Sequence, residues 1–80
     1  MTERKITLRT IDAVKNYVGC ISQYPFAADL ISGRYVVDAK SIMGIFSLDL
    51  SNPITMQIHY ENEKMIEEFL SKIENFLVNE

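Results

Sequence analysis

Apolar residues recur along this chain at two different periods, and the order in which the periods alternate leaves few folds open. Ile54, Met56 and Ile58 alternate with Thr55, Gln57 and His59. A period of two puts one face of a strand against a core and the other toward water. Ile6 and Leu8 alternate in the same way with Lys5, Thr7 and Arg9, and Phe26, Ala28 and Leu30 form one face of residues 26–32. Ser32-Gly33 supplies a turn into residues 35–38, which makes a hairpin. Between these segments the spacing becomes helical. Ile11, Val14, Val18 and Ile21 fall at i, i+3 and i+4 steps, which predicts a helix from Ile11 to about Tyr24. Thr10 is its expected N-cap and Pro25 its stop. Residues 41–50 predict a short helix ended by Ser51-Asn52-Pro53. Residues 61–78 predict a longer one with Met65, Phe69, Leu70, Ile73, Phe76 and Leu77 on one stripe.

The resulting order is strand, helix, strand, strand, helix, strand, helix. Four strands with one apolar face each and three helices with one apolar stripe each are satisfied by a two-layer α+β fold. Its four-stranded antiparallel sheet is covered on one face by three helices and open to water on the other. Eighty residues suit a single domain, residues 1–80, with one core. A hydrophobic content of 48% with only two prolines and three glycines argues against disorder.

Charge and special residues exclude several classes of function. Residues 61–80 carry six acidic and two basic residues; the rest carries five acidic and six basic. With no dense basic patch, nucleic acid is not an expected partner. Cys20 is the only cysteine, so no internal disulfide or multi-thiolate metal site can form, and a small core residue is the expected role. The first ten residues have no apolar signal-like run and no segment is long enough to cross a bilayer, so a cytoplasmic location is expected. No metal, cofactor or membrane partner is expected.

One segment stands apart. In Asp-Ala-Lys-Ser-Ile-Met-Gly-Ile-Phe-Ser-Leu, residues 38–48, a serine opens an apolar helix that contains a glycine. Lys40 to Gly44 resembles the regulatory-serine segment of HPr, the histidine-containing phosphocarrier family of the bacterial sugar phosphotransferase system. The resemblance extends back through Ser22-Gln23-Tyr24 and the hairpin over residues 30–37, and forward to the C-terminus. It implies the HPr-like open-faced β-sandwich, in the element order already read from periodicity. It also implies a bacterial, cytoplasmic protein with protein partners: a kinase that phosphorylates Ser41 and a transcriptional regulator of carbon catabolism, docking on Lys40, Ile42, Met43, Gly44 and Phe46.

The family's catalytic motif is absent from the corresponding positions. Counting back without gaps from Ser22-Gln23-Tyr24 puts Thr10 where the family has its phosphorylated histidine, Asp12 where it has arginine and Ala13 where it has proline. Threonine lacks the imidazole nucleophile, and Asp12 would repel a phosphate that a guanidinium holds. With a strand ending near Arg9 and a cap at Thr10, the connecting loop is expected to be shortened. His59, the only histidine, is expected on the fourth strand, away from that position. The expected protein is therefore a non-enzymatic, Crh-like member without histidine phosphotransfer.

Ser41 has two readings. As a helix N-cap it would satisfy a free backbone amide, a contribution of ~1 kcal/mol. As a phosphorylation site it would place a phosphate beside free amides and Lys40. Behind it, Ile42, Met43, Ile45, Phe46, Leu48 and Leu50 occupy more than one helix face, so some of them are expected to be exposed. A Met43–Phe46 pair is the expected docking surface, with Gly44 allowing close approach. The alternative is an HPr-fold interaction module in which Ser41 only caps.

Overall fold

The computed structural model, which describes residues 1–78, starts its first strand earlier than the alternation over residues 5–9 suggests. Strand β1 spans Thr2–Ile6 and runs antiparallel to β4, Ile54–His59, with Thr2 opposite Ile58 and Ile6 opposite Ile54. Continuing the register would set Thr7 against Pro53, which has no N–H for the ladder. Ile6 and Leu8 are fully buried nonetheless, Leu8 from the connection after the strand.

Strands β2, Ala27–Ser32, and β3, Tyr35–Asp38, complete one antiparallel sheet in the order β1-β4-β2-β3. Gly33, at φ +59, is the first of two residues in the β2–β3 turn. Glycine enters that region without a Cβ clash. Helices α1, Ile11–Ile21, α2, Ile42–Phe46, and α3, Glu63–Lys72, fill the remaining places. The element order is the expected βαββαβα. Ala28, Leu30, Ile54, Met56 and Ile58 are buried with the helices' apolar residues. Glu3, Lys5 and His59 on the opposite sheet face are exposed, which makes the sandwich open-faced. Residues 79 and 80 of the expected domain lie outside the described residues.

Each helix is shorter than its period implies. Helix α1 ends at Ile21, where Ser22, Gln23 and Tyr24 close back on Val18, Cys20 and Ile21. Its buried residues are Val14, Tyr17 and Ile21, whereas Ile11 is 63% exposed at the first position after the cap. Helix α3 stops at Lys72. Ile73 leaves helical geometry (φ −108, ψ 20), a 3-10 turn covers Glu74–Phe76, and Leu77 is extended. The chain then pairs with the outer edge of β1: Thr7 N donates to Phe76 O at 2.8 Å and Val78 N to Lys5 O at 2.9 Å. An edge strand presents unpaired backbone groups, and these bonds satisfy part of them. That competition ends the helix expected over residues 61–78. Ile66, at 3% exposure, lies deeper than the expected Met65 and Leu70, which are half-buried.

An aromatic cluster joins α1, α3 and the sheet. Tyr24 stacks on Phe26 at 5.1 Å, and both meet Phe69 edge-on at 5.3 and 5.4 Å. Such pairs contribute ~0.5–1.5 kcal/mol each beyond their burial. Tyr17 OH donates to Met56 Sδ at 3.5 Å, and burial, with the nearby Asp38 charge, pushes its phenol pKa far up. Cys20 is only partly buried and packs against the core from outside; burial raises its thiol pKa, which works against nucleophilic use.

Candidate functional site

Ser41 caps α2 as its position suggests. Its backbone is extended (φ −93, ψ 107), and its Oγ accepts a hydrogen bond from Gly44 N at 3.1 Å. The approach to the cap is fixed by Asp38: its Oδ1 accepts from Lys40 N at 2.9 Å and its carbonyl from Ser41 N at 3.0 Å. At the other end, Ser47 N and Ser47 Oγ both donate to Gly44 O, at 3.1 and 2.6 Å. A serine hydroxyl that folds back onto a helix carbonyl competes with continuation of the helix. The helix expected over residues 41–50 therefore stops at Phe46. Asp49 then closes a turn by accepting from Ser51 N at 3.0 Å, Ser51 Oγ at 2.5 Å and Asn52 Nδ2 at 3.2 Å. These bonds hold its carboxyl below the usual carboxylate range.

The five-residue helix divides its apolar side chains. Ile45 is fully buried, and Leu48, just past the helix, is nearly so. Ile42 is half-buried against the core. Met43 is 77% exposed and Phe46 39% exposed. Exposed large apolar side chains that sit side by side are candidates for contact with another protein. Gly44 has a role inside the fold: a Cβ there would lie 3.1 Å from Ser41 Oγ and 3.2 Å from Val37 Cβ. The close approach that glycine permits is thus used within the fold, by β3 and the cap. Lys40 is also turned inward, its Nζ donating to Tyr24 O at 2.6 Å.

The position counted above against the family's histidine serves as a helix cap. Thr10 Oγ1 accepts from Ala13 N at 3.0 Å and caps α1. The connection ahead of it is longer than expected, because β1 ends at Ile6 and leaves residues 7–10 between strand and helix. His59 closes β4, and its Nε2 lies 3.1 Å from Asp29 Oδ2. Since Ile58 points into the core, the alternation of a strand turns His59 to the open sheet face, whereas Thr10 opens a helix that packs on the other face. Among the described residues no group of three or more His, Cys, Asp or Glu side chains could hold a metal ion, and no helix is long and apolar enough to cross a membrane.

Sequence reading missed other exposed apolar side chains: Tyr35 at 72% and Val36 at 60%, both on the edge strand β3, besides Ile11. Tyr35 rims an open depression of about 710 Å³ between the β2–β3 turn and the segment after α2, shared with Arg34, Ser47, Asp49 and Pro53. Alternation with Val37, which packs against the core, puts Val36 on the open sheet face, and Tyr35 stands at the turn end of the edge strand.

The architecture and its capped, partly exposed second helix define an HPr-like open-faced sandwich, phosphocarrier-like in fold. No family model and no curated protein sequence matches the chain, but solved structures do. HPr-C-His from Thermoanaerobacter tengcongensis is 25% identical with a TM-score of 0.76, over 94% of this chain and 93% of that one. Crh, the catabolite repression protein of Bacillus subtilis, is 21% identical with a TM-score of 0.64, over 92% of this chain and 88% of that one. The phosphocarrier protein HPr of Bacillus anthracis is 19% identical with a TM-score of 0.61, over 89% and 94%.

Proposed function

We propose that this protein is a non-catalytic, cytoplasmic relative of the phosphocarriers of the sugar phosphotransferase system. It would act by docking on protein partners through α2 rather than by carrying phosphate on histidine. The observation that carries this reading is the exposure of Met43 and Phe46 directly behind the Ser41 cap, in the segment that resembles the family's regulatory serine. Ser41 is the phosphorylation site on this reading. Met43 and Phe46 are the contact residues, Ile42 flanks them, and Gly44 and Lys40 shape the surface from within. An HPr kinase and a transcriptional regulator are the partner classes. Phosphate on Ser41 would put about −2 charge beside the apolar pair and so change which partner binds.

The absence of histidine transfer is supported by the bond that already engages Thr10 Oγ1 and by the placement of His59 on β4. Incubation with phosphoenolpyruvate and the first enzyme of the system should leave the chain unmodified; acid-labile phosphate on His59 would overturn that. A second reading, in which the fold serves as an interaction module and Ser41 is never modified, is favoured by the cap bond itself. Exposure to an HPr kinase and ATP separates the two.

A further inference from the structure

We propose that Lys40 is a positioning residue that latches α2 to the end of α1, and that its charge is not offered to a partner. The two elements it joins differ in rigidity. Helix α2 has five residues and one fully buried side chain within its span, Ile45. Tyr24 is 7% exposed, with its ring stacked on Phe26 and edge-on to Phe69 and its hydroxyl donating to Glu68 Oε1 at 2.9 Å. The 2.6 Å bond from Lys40 Nζ to Tyr24 O spans sixteen positions of sequence and is partly buried.

Chemistry favours this pairing from both sides. The Tyr24 carbonyl lies just past the last turn of α1, where the helix dipole is negative, and α1 has no basic residue of its own in that turn. Pro25, the next residue, offers no N–H. Lys40 therefore supplies from the β3–α2 connection the cation that the last turn of α1 lacks. Among the described residues its ammonium makes no ion pair. With the backbone of Lys40 and Ser41 already held by Asp38, the side chain adds a third tie across to a fixed point. If α2 is the docking surface proposed above, on which this consequence rests, the partner there meets Met43 and Phe46 as a pre-positioned apolar pair and needs no acidic group opposite Lys40.

The test needs no partner, so its failure is separable from failure of the docking reading. Isotope-labelled parent, Lys40→Met and Lys40→Arg are compared by amide hydrogen exchange and by the carbon shift of the Tyr24 carbonyl. Methionine keeps most of the stem and removes the donor; arginine keeps a donor. Loss of the latch should move the Tyr24 carbonyl shift and speed exchange at Gly44 and Ile45 about tenfold, the scale of one charge-assisted bond. Exchange at Met56 in β4 should stay unchanged, and arginine should restore protection. An unmoved Tyr24 carbonyl, unchanged exchange in α2, equal acceleration at Met56, or failure of arginine to restore protection would each overturn the proposal.

Discussion

Thr10 and Ser41 each accept, at the side-chain oxygen, a hydrogen bond from the amide three residues on, at 3.0 and 3.1 Å. The helices they cap are unlike. Behind Thr10, α1 has eleven residues and buries Val14, Tyr17 and Ile21. Behind Ser41, α2 has five residues, buries Ile45 and leaves Met43 and Phe46 in solvent. An isolated helix of either length is marginal in water, so both depend on packing. Helix α1 has a face wide enough to supply that packing. Helix α2 relies on its surroundings: the Asp38 ties, the Lys40 bond and the close seat of Gly44 on β3. A cap therefore does not distinguish a structural serine from a regulatory one. The proposed docking role rests instead on the unburied side chains after it.

The widest contrast in stability lies between the aromatic cluster and the exposed pair. Phe69→Ala removes the ring that meets Tyr17, Tyr24 and Phe26 and should cost ~3–5 kcal/mol in chemical denaturation. Met43→Ala should change stability by less than ~0.5 kcal/mol, yet weaken binding to an HPr kinase by ~2 kcal/mol, as expected for a central anchor. A Met43→Ala variant that loses stability but not affinity would merge the two regions and remove the reason to treat α2 as a surface.

The caps come next in size. Thr10→Ala and Ser41→Ala should each cost ~0.5–2 kcal/mol, while Ser41→Asp stays close to neutral because aspartate also caps. Local exchange sharpens the comparison: Ser41→Ala should open α2 alone, and Thr10→Ala should loosen the first turn of a helix that remains folded. An alanine at 41 with parent stability and parent exchange would show that the hydroxyl bond contributes nothing.

How much of this was legible in the sequence depends on which force decides each feature. Strands β2 and β4 come from alternation, because one face of each is buried and the other is wet, and β3 from the Ser32-Gly33 turn that precedes it. The cap residues Thr10 and Ser41 were readable because capping is local chemistry. Helix ends were not. Helix α2 is cut short by Ser47 folding onto Gly44 O, and α3 by the unpaired edge of β1, a partner more than sixty residues away in sequence. The surplus of apolar residues over residues 42–50 correctly implied exposure, but the inward roles of Gly44 and Lys40 depend on Val37 and Tyr24, which no local pattern brings near.

The smallest expected effect concerns pH at the turn after α2. Asp49 is held below its ordinary value of 3.8 by bonds from Ser51 and Asn52. A depressed folded-state pKa contributes stability that is present above 3.8 and lost as pH falls through the lower folded value. Asp49→Ala should therefore be less stable than the parent at neutral pH, with the gap closing below that value. Because the carboxylate is fully exposed the gap should be small, and a gap that widens in acid would contradict the sign.

The most direct test of α2 as a regulated docking surface is intact-mass measurement after incubation with an HPr kinase and ATP, on the parent and on Ser41→Ala. A kinase must seat on this surface to reach the hydroxyl. One added phosphate on the parent and none on Ser41→Ala is the expected result; an unmodified parent, or a phosphate that persists in Ser41→Ala, would contradict it.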